Sequence, residues 1–387
     1  MTAGADRAAV RTVAFGDGAS QRAAAALEAR GARSVFLVTG GLSFARSGAE
    51  AALAPALAGR SLVHWGGTRP NPTLDQVQSA LDAFRERPCD AVLGVGGGSV
   101  LDVAKVVAVL GAEPGPAADY LLERRRLNGS RRSGLVLVPT TAGSGSEATP
   151  FATVYVDGRK RSLDHPSLRC DVALVDPLLT WSQPPSVAAA AGLDALSHAV
   201  ESYWSVRSTA RTRTLAARAL RLLRARLPAA CAGRSPAARR SVVLAAHLAG
   251  RAISETRTTA AHGFAYPLTA RFGMAHGHAC ALNLAWLLSF NGGVGDADAA
   301  DPRGAPFVRA RLAELAGALG AATPAAARAQ LLRLVAWLGL STRLRNQGVG
   351  EDDLPSLVAE GLASDRTAAN PRRLTPEAAA AGLGGLL

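Results

Sequence analysis

The sequence predicts two domains of different class: an α/β domain with a doubly wound parallel sheet over residues 1–180, and an all-helical domain over residues 181–387. Three observations support this. Short apolar runs alternate with helical patterns over the first 180 residues, whereas long Ala/Leu/Arg-rich helical segments follow WSQPPS at 181–186. A chain of 387 residues also exceeds what one hydrophobic core usually supports.

The first domain contains apolar runs that are typical of buried parallel strands, with helical patterns between them. These runs are SVFLVTGG (34–41), SLVHWGG (61–67), DAVLGVG (90–96), GLVLVP (134–139) and DVALVDP (171–177). The intervening segment 73–87 repeats apolar residues at helical spacing, and 151–166 predicts a hairpin around Asp157-Gly158. Ligands of such a sheet bind at the carboxyl ends of its strands.

The composition favours a cytoplasmic globular protein without a nucleic-acid or membrane partner. Apolar residues make up 48% of the chain, and no run of eighteen apolar residues is available to span a membrane. The net charge of +13 comes almost wholly from arginine in a chain rich in Ala, Gly and Leu, which indicates codon bias rather than a polyanion site. The N-terminus lacks the apolar core of a secretion signal, and the four cysteines form no CxxC pair.

Only two of the 43 basic residues are lysines, Lys105 and Lys160. We expect these two positions to need a compact ammonium group rather than a planar guanidinium.

The glycine-rich segment GVGGGSVLD (94–102) follows a predicted strand and opens a predicted helix. Glycines let the backbone approach a phosphate, and a helix N-terminus offers free N–H groups. We expect Ser99 to cap this helix and Asp102 to lie in its first turn. Together with the small-residue turn PTTAGSGSE (139–147), this predicts a dinucleotide or phosphate site rather than a simple tight connection.

The strand that ends at Gly40 and Gly41 lacks a nearby acid. Dinucleotide folds often place an acid there to bind the adenosine ribose diol, and a 2′-phosphate does not tolerate that charge. The sequence therefore favours NADPH over NADH.

Asp194 and His198 lie four residues apart in a predicted helix, which places a carboxylate and an imidazole on one face. Taken alone, the two residues would more often form a surface Asp–His pair. His262 and His276, fourteen residues apart, supply two more imidazoles, and one oxygen with three nitrogens suits Fe²⁺ or Zn²⁺, with Mn²⁺ as a further choice. His278 points to another helix face than His276, so we place it outside the ligand set.

The chain resembles the iron-containing (group III) alcohol dehydrogenases over nearly its whole length. The matching motifs are PNPT (70–73), GGGSVLDVAK (96–105), PTTAGSGSE (139–147), ALVDP (173–177), GLDALSHAVE (192–201), HG (276–277) and NPRRLTPE (370–377). The resemblance implies a Rossmann-like sheet domain plus a helical domain, as in dehydroquinate synthase. It implies a metal held by Asp194, His198, His262 and His276. It implies cofactor contacts at Gly97, Gly98, Ser99, Asp102, Thr140, Thr141, Ser144 and Lys160, to which we add Gly40 and Asn71.

One position departs from the family pattern. Many members carry a histidine four residues after the first metal-binding histidine of the 262–276 segment, and this chain has Tyr266 there. A narrower resemblance, over 159–177, 200–205 and 257–284, is to family members that reduce phosphonoacetaldehyde to 2-hydroxyethylphosphonate. A phosphonate needs cationic donors, for which we name Arg161, His165, Arg257 and Arg271.

The expected reaction is therefore hydride transfer from NADPH to an aldehyde that the metal polarises. A water at the metal, His278 or Tyr266 would supply the proton, with Lys160 as a further catalytic candidate, and the sequence does not choose among them. The main alternative is a general short-chain alcohol or semialdehyde dehydrogenase without preference for anions. A dehydroquinate-synthase-like lyase is a third possibility that the Asp194–His198 pair disfavours. We expect a homodimer that takes a small anionic aldehyde.

Overall fold

The structure is a computed structural model that describes residues 12–233 and 235–387. Two compact units divide the chain, Met1–Gln183 and Pro184–Leu387, close to the boundary predicted at residue 180. The predicted fold class is confirmed: the first unit is built around a parallel sheet, and the described part of the second has helices but no strand. Most of the N-terminal segment used to judge secretion lies outside the described residues.

The first unit contains these described strands: β1 Thr12–Phe15, β2 Ser34–Gly40, β3 Ser61–Thr68, β4 Ala91–Gly96, β5 Gly134–Pro139, β6 Phe151–Val156, β7 Arg159–Asp164 and β8 Val172–Val175. Its α-helices are α1 Ala23–Glu28, α2 Ser43–Arg46, α3 Ala49–Leu57, α4 Leu74–Glu86, α5 Gly98–Leu110 and α6 Ala117–Leu121. The predicted strands and the α4 helix all form, whereas β1 was not predicted. This short strand pairs with β8.

The six-stranded sheet has the order β1-β8-β5-β4-β2-β3, and every pairing is parallel. From β2 the chain passes to β3 on one side and then crosses to β4 on the other. The strand order therefore reverses between β2 and β4, which is where doubly wound sheets bind their ligands. Gly40 lies at the carboxyl end of β2, and the glycine-rich segment 94–102 spans the carboxyl end of β4, whereas the small-residue turn 139–147 follows β5.

Close packing of α5 on the sheet positions the glycine turn between β4 and α5. A methyl group at Gly94 of β4 would lie 2.6 Å from the Cβ of Ala104, so only glycine allows this approach. The prediction that Ser99 caps α5 is wrong. Gly97 is the N-cap residue, and Ser99 lies inside the helix, where its Oγ accepts a hydrogen bond from the backbone N–H of Asn71 at 3.2 Å. Asp102 is the fifth residue of α5, beyond its first turn.

Strands β6 and β7 form the predicted antiparallel hairpin. Asp157 and Gly158 have φ angles of +49° and +72°, as expected for a two-residue turn whose central residues are both left-handed.

Lys105 is fully buried on α5 and joins this helix to the segment that leads into β6. Its ammonium donates to Ser146 Oγ at 2.7 Å, Thr149 Oγ1 at 2.9 Å and the Phe151 carbonyl at 2.9 Å. Asp102 lies 3.6 Å away and compensates the charge, although burial still lowers the pKa of Lys105. Three converging acceptors explain why this site holds a compact ammonium.

We expect Lys105→Met to destabilise the protein by about 3 kcal/mol, because it leaves buried acceptors unsatisfied and Asp102 without its cation. Urea unfolding of this variant measures the loss. Arg69→Met, at an exposed position, serves as the control and should change stability little. Equal stability of the two variants would contradict this account of Lys105.

The α-helices of the second unit are α7 Pro185–Trp204, α8 Ala210–Cys231, α9 Pro236–Thr256, α10 Ala260–Phe272, α11 His276–Gly292, α12 Ala305–Ala318, α13 Pro324–Trp337, α14 Leu354–Leu362 and α15 Pro376–Gly384. Helices α8 and α9 pack on each other and on α7, and α11 packs against α7, α10 and α13. Helices α7, α10 and α11 carry the predicted metal ligands. Among the described residues, no helix is both long enough and apolar enough to cross a bilayer.

Candidate metal and cofactor sites

Six of the predicted cofactor residues lie at or just after the carboxyl ends of β2, β4 and β5: Gly40, Gly97, Gly98, Thr140, Thr141 and Ser144. A methyl group at Gly97 would lie 3.2 Å from the Thr141 side chain, and one at Gly98 would lie 2.6 Å from Ser144 Oγ. Because these backbone atoms are bare, a phosphate can approach the N-terminus of α5 closely. The geometry suits the pyrophosphate of a dinucleotide.

Several predicted cofactor residues make contacts within the first unit. Gly40 is packed near Val100, and the Thr140 N–H donates to the Gly96 carbonyl at 2.9 Å. Asp102 accepts from Ser146 Oγ at 2.5 Å and from the Thr153 N–H at 2.8 Å, so its carboxylate already has partners within the chain. Lys160 lies on β7 opposite Tyr155. The roles of these residues toward a cofactor stay predictions.

Four side chains of the second unit that could hold a metal ion form one compact group, called here the metal-binding group. They are Asp194 of α7, His262 of α10, and His276 and Cys280 of α11, with ligand atoms all within 4.8 Å of one another. Asp194 Oδ1 lies 3.5 Å from His262 Nε2, and Cys280 Sγ lies 3.7 Å from His276 Nε2. The sequence prediction contained the first three of these residues but missed Cys280.

His198, the remaining predicted ligand, borders this group. Its Nε2 lies 3.6 Å from Asp194 Oδ1, and its ring stacks on that of His262 with centroids 4.7 Å apart. The structure thus brings together all four residues predicted to bind a metal, although the ligation itself stays a prediction.

The electrostatics of this group favour a cation. Asp194 Oδ1 and His262 Nε2 are buried and have no hydrogen-bond partner among the described residues. Burial opposes ionisation of Asp194, but the neighbouring histidines outweigh it and hold the pKa of this carboxyl well below its usual range. Burial also opposes a charge on His262, yet Cys280, Glu201 and Asp194 raise its pKa. A divalent metal ion would coordinate these two unpartnered buried atoms, so the residues present fit a metal ion.

Glu201, which the sequence prediction missed, fixes the orientation of His262. This fully buried carboxylate hydrogen-bonds to His262 Nδ1 and accepts from the Thr259 N–H at 3.0 Å and the Thr259 hydroxyl at 2.7 Å. Because Nδ1 is bonded to a carboxylate, the proton stays on that nitrogen. The lone pair of Nε2 then faces the other side chains of the metal-binding group. A carboxylate–histidine pair of this kind commonly supports a metal ligand.

Tyr266 and two arginines lie beside the metal-binding group. The Tyr266 ring stacks on that of His276, with centroids 5.9 Å apart. Arg366, only 12% exposed, is hydrogen-bonded to Tyr266 and is close enough to Arg257 for the two positive charges to interact. Sequence reasoning named Arg257 but had no signal for Arg366, which lies in the 3₁₀ segment Asp365–Ala369.

The other predicted substrate and proton-donor residues make contacts elsewhere. Arg271 forms ion pairs with Asp353 and Glu360. Arg161 is exposed on β7, and His165 caps a short 3₁₀ helix by accepting from the Ser167 N–H. His278 is buried, and its Nε2–H donates to the Ser341 carbonyl at 2.6 Å. Nothing in these contacts gives the four residues a role at the metal-binding group, and their predicted roles stay predictions.

Comparison with known proteins identifies the family. The model of the iron-containing alcohol dehydrogenases matches residues 11–177, and the model of the C-terminal domain of the Fe-containing family matches residues 188–382. The chain belongs to the iron-containing alcohol dehydrogenase family. Members of this family that it matches are named alcohol dehydrogenases and reductases, so the protein is an oxidoreductase rather than a lyase of related fold.

Similar proteins differ in their substrates. A phosphonoacetaldehyde reductase of Streptomyces viridochromogenes is 38% identical over 82% of this chain and 80% of its own. Long-chain-alcohol dehydrogenase 1 of Geobacillus thermodenitrificans is 35% identical over 77% of this chain and 74% of its own. The crystal structure of sulfoacetaldehyde reductase from Bifidobacterium kashiwanohense in complex with NAD⁺ superposes with a TM-score of 0.88 at 28% identity, covering 98% of both chains.

We expect Glu201→Gln to weaken metal binding by about 10–100-fold, because the neutral amide no longer fixes the His262 tautomer or raises the basicity of Nε2. Competition with a chromophoric chelator measures the affinity for Zn²⁺. Glu255→Gln, a change at a partly exposed carboxylate of α9, is the matched control. If both variants bind Zn²⁺ like the wild type, Glu201 does not support a metal ligand.

Proposed function

We propose that the protein is a metal-dependent, NADPH-preferring reductase of a small anionic aldehyde, most specifically phosphonoacetaldehyde, which it converts to 2-hydroxyethylphosphonate. The observation that carries the proposal is the Arg257–Arg366 pair beside Tyr266, next to the metal-binding group. The similarity to a phosphonoacetaldehyde reductase supports the choice of substrate.

Two neighbouring guanidinium groups in a partly buried place favour an anionic ligand. Burial, and then the charge of Arg366, lower the pKa of Arg257 to about 10. The carboxylate of Asp365 compensates in part, but its side chain is 79% exposed and water screens it. A phosphonate carries up to two negative charges and accepts several charge-assisted hydrogen bonds, so it would relieve the repulsion between the arginines.

The backbone at Arg257 is held in a conformation that favours glycine. Its φ and ψ angles are +63° and 174°, while its N–H still donates to the Ile253 carbonyl at 2.9 Å. Such conformations cost on the order of 1–3 kcal/mol and concentrate at functional sites. Arg257 is the residue at which α9 ends and the segment leading to His262 begins.

In the proposed reaction, a hydride passes from NADPH to the carbonyl carbon and a proton passes to the carbonyl oxygen, giving a primary alcohol and NADP⁺. A divalent ion held by the metal-binding group would supply Lewis acidity toward a carbonyl oxygen. The family description favours Fe²⁺, with Zn²⁺ or Mn²⁺ as alternatives. Glu201 keeps His262 oriented, and the Tyr266 hydroxyl, hydrogen-bonded to Arg366, donates the proton. His278 is the weaker candidate because its Nε2–H is bonded to Ser341.

The second candidate is a general alcohol or semialdehyde dehydrogenase without preference for anions. The similarity to a long-chain-alcohol dehydrogenase favours it. The proposal also includes a cytoplasmic homodimer without nucleic-acid or membrane partners. The four free, buried cysteines are consistent with a reducing compartment.

Substrate preference distinguishes the two candidates. The chelator-treated protein, reloaded with Fe²⁺, is assayed for NADPH oxidation with phosphonoacetaldehyde and with propanal. We expect Arg366→Gln to lower kcat/KM for phosphonoacetaldehyde by about 10–100-fold, because a charged hydrogen bond to the phosphonate is lost. Activity with propanal should fall less, because that loss reflects only the altered hydrogen bond to Tyr266 and no lost contact to a phosphonate.

Arg271→Gln is the matched control, since the Arg271 guanidinium is already paired with Asp353 and Glu360. Its ratio of the two kcat/KM values should equal that of the wild type. Comparable kcat/KM for the two aldehydes in the wild-type protein would establish the general dehydrogenase instead. Full activity after metal removal would contradict the proposed role of the metal-binding group in the reaction.

The cofactor preference is tested at Gly41, where a new side chain meets no atom within 4 Å. We expect Gly41→Asp to lower kcat/KM for NADPH by at least about tenfold relative to NADH, because a carboxylate repels the 2′-phosphate. Gly41→Asn, of equal size and without charge, is the control and should leave the ratio near that of the wild type. A wild-type protein that prefers NADH would contradict the proposal directly.

A further inference from the structure

The last residue of the first unit contacts the small-residue turn 139–147. Gln183 lies between the two ranges that match the family models, residues 11–177 and 188–382. Its side-chain amide donates to the Thr140 carbonyl at 2.7 Å. We propose that Gln183 is a positioning residue for the nicotinamide cofactor, which holds this turn in the conformation that binds the pyrophosphate. The inference rests on the proposed function only in assuming that a dinucleotide binds at the glycine turn between β4 and α5.

Thr140 is the first residue after β5, where the pairing of the sheet ends. Its N–H donates to the Gly96 carbonyl of β4 at 2.9 Å, whereas its carbonyl accepts from Gln183 instead of from a strand. Thr140 is only 3% exposed, and a buried carbonyl is unfavourable without a donor. The peptide groups on both sides of Thr140 are therefore fixed, one by β4 and the other by Gln183.

Fixing Thr140 also fixes Thr141, whose side chain lies over the glycine turn. A methyl group at Gly97 would lie 3.2 Å from the Thr141 side chain, and three residues later Ser144 Oγ lies in the same way against Gly98. A phosphate at the N-terminus of α5 would therefore meet these hydroxyl groups as well as backbone N–H groups. A shift of the Thr140 carbonyl would move the first of these hydroxyls away from the turn.

The segment that precedes Gln183 is itself attached to the sheet. Asp176, which directly follows β8, caps the 3₁₀ helix Pro177–Thr180. Thr180 is fully buried, and its carbonyl accepts from the Gln183 N–H at 3.4 Å. The amide of Gln183 is thus anchored to β8, which makes it a fixed donor for the Thr140 carbonyl.

Ligand binding tests this inference without an activity measurement. The full-length protein and Gln183→Met, which keeps the side-chain length but loses the donor, are titrated calorimetrically with NADP⁺ and with 2′-AMP, a ligand without a pyrophosphate. We expect Gln183→Met to weaken NADP⁺ binding by about 3–10-fold, because the turn that contacts the pyrophosphate loses one hydrogen bond that fixes it. Binding of 2′-AMP should equal that of the wild type.

Gln330→Met is the matched control, since the Gln330 amide of α13 also donates to a backbone carbonyl, that of Gly320 at 3.3 Å. This control should bind both ligands like the wild type. Steady-state kinetics give a second readout on the Fe²⁺-reloaded protein. We expect Gln183→Met to raise KM for NADPH by the same factor and to leave kcat near that of the wild type, because the lost contact affects cofactor binding and not the reacting groups.

Unchanged NADP⁺ binding in Gln183→Met would overturn the role of Gln183 and leave the proposed reaction intact. Equal weakening of NADP⁺ and 2′-AMP binding would also overturn it, because the substitution would then have disturbed the first unit as a whole. A wild-type protein that binds neither NADP⁺ nor NAD⁺ would overturn both this role and the proposed function.

Discussion

The close approach of α11 to α7 at Gly277 is the constraint on which the metal-binding group depends. A methyl group at Gly277 would lie 2.0 Å from the Ala190 carbonyl oxygen and 2.7 Å from the Asp194 backbone nitrogen, so any larger residue would force the helices apart. Gly277 directly follows His276. The same contact therefore brings the Asp194 carboxylate and the His276 ring to one place, and Cys280 follows one turn later. Glycine after the histidine is a packing requirement here.

A buried hydrogen-bond chain holds the third helix, α10, in register with the other two. Trp204 Nε1 donates to Thr259 Oγ1 at 2.9 Å, Thr259 donates to Glu201, and Glu201 holds His262. Burying a carboxylate is unfavourable unless its lone pairs are satisfied, and burial indeed opposes the charge of Glu201. Interaction with His262 outweighs this and lowers the pKa of Glu201. A metal ion bound to His262 would further stabilise the charged form of Glu201. Metal binding would therefore favour the folded arrangement of α7 and α10.

The sequence predicts those features that depend on local spacing. Alternating strands and helices indicate the parallel sheet, and the positions of Asp194 and His198 four residues apart indicate a shared helix face. Strand β1 was missed because it has only four residues and depends on pairing with β8. The Ser99 cap was wrong because α5 begins at the glycines, where the backbone stays bare.

Features that depend on tertiary packing could not be predicted in the same way. Arg366 follows His262 by more than a hundred residues in a chain full of arginines, so its place beside Tyr266 has no local signal. Cys280 did have one, since it lies four residues after His276. That spacing is the same as that of Asp194 and His198.

Abundant arginine also limits how the proposed selectivity for an anionic aldehyde could arise. A net charge of +13 attracts every anion, and exposed ion pairs such as Arg271 with Asp353 contribute little in water. Selectivity therefore has to come from cations whose solvation is limited and whose geometry is fixed. Arg366 meets both conditions through its low exposure and its hydrogen bond to Tyr266, and Arg257 through its strained backbone. Because Tyr266 also stacks on His276, an anion bound by these arginines would lie beside the residues predicted to bind a metal rather than elsewhere on a basic surface.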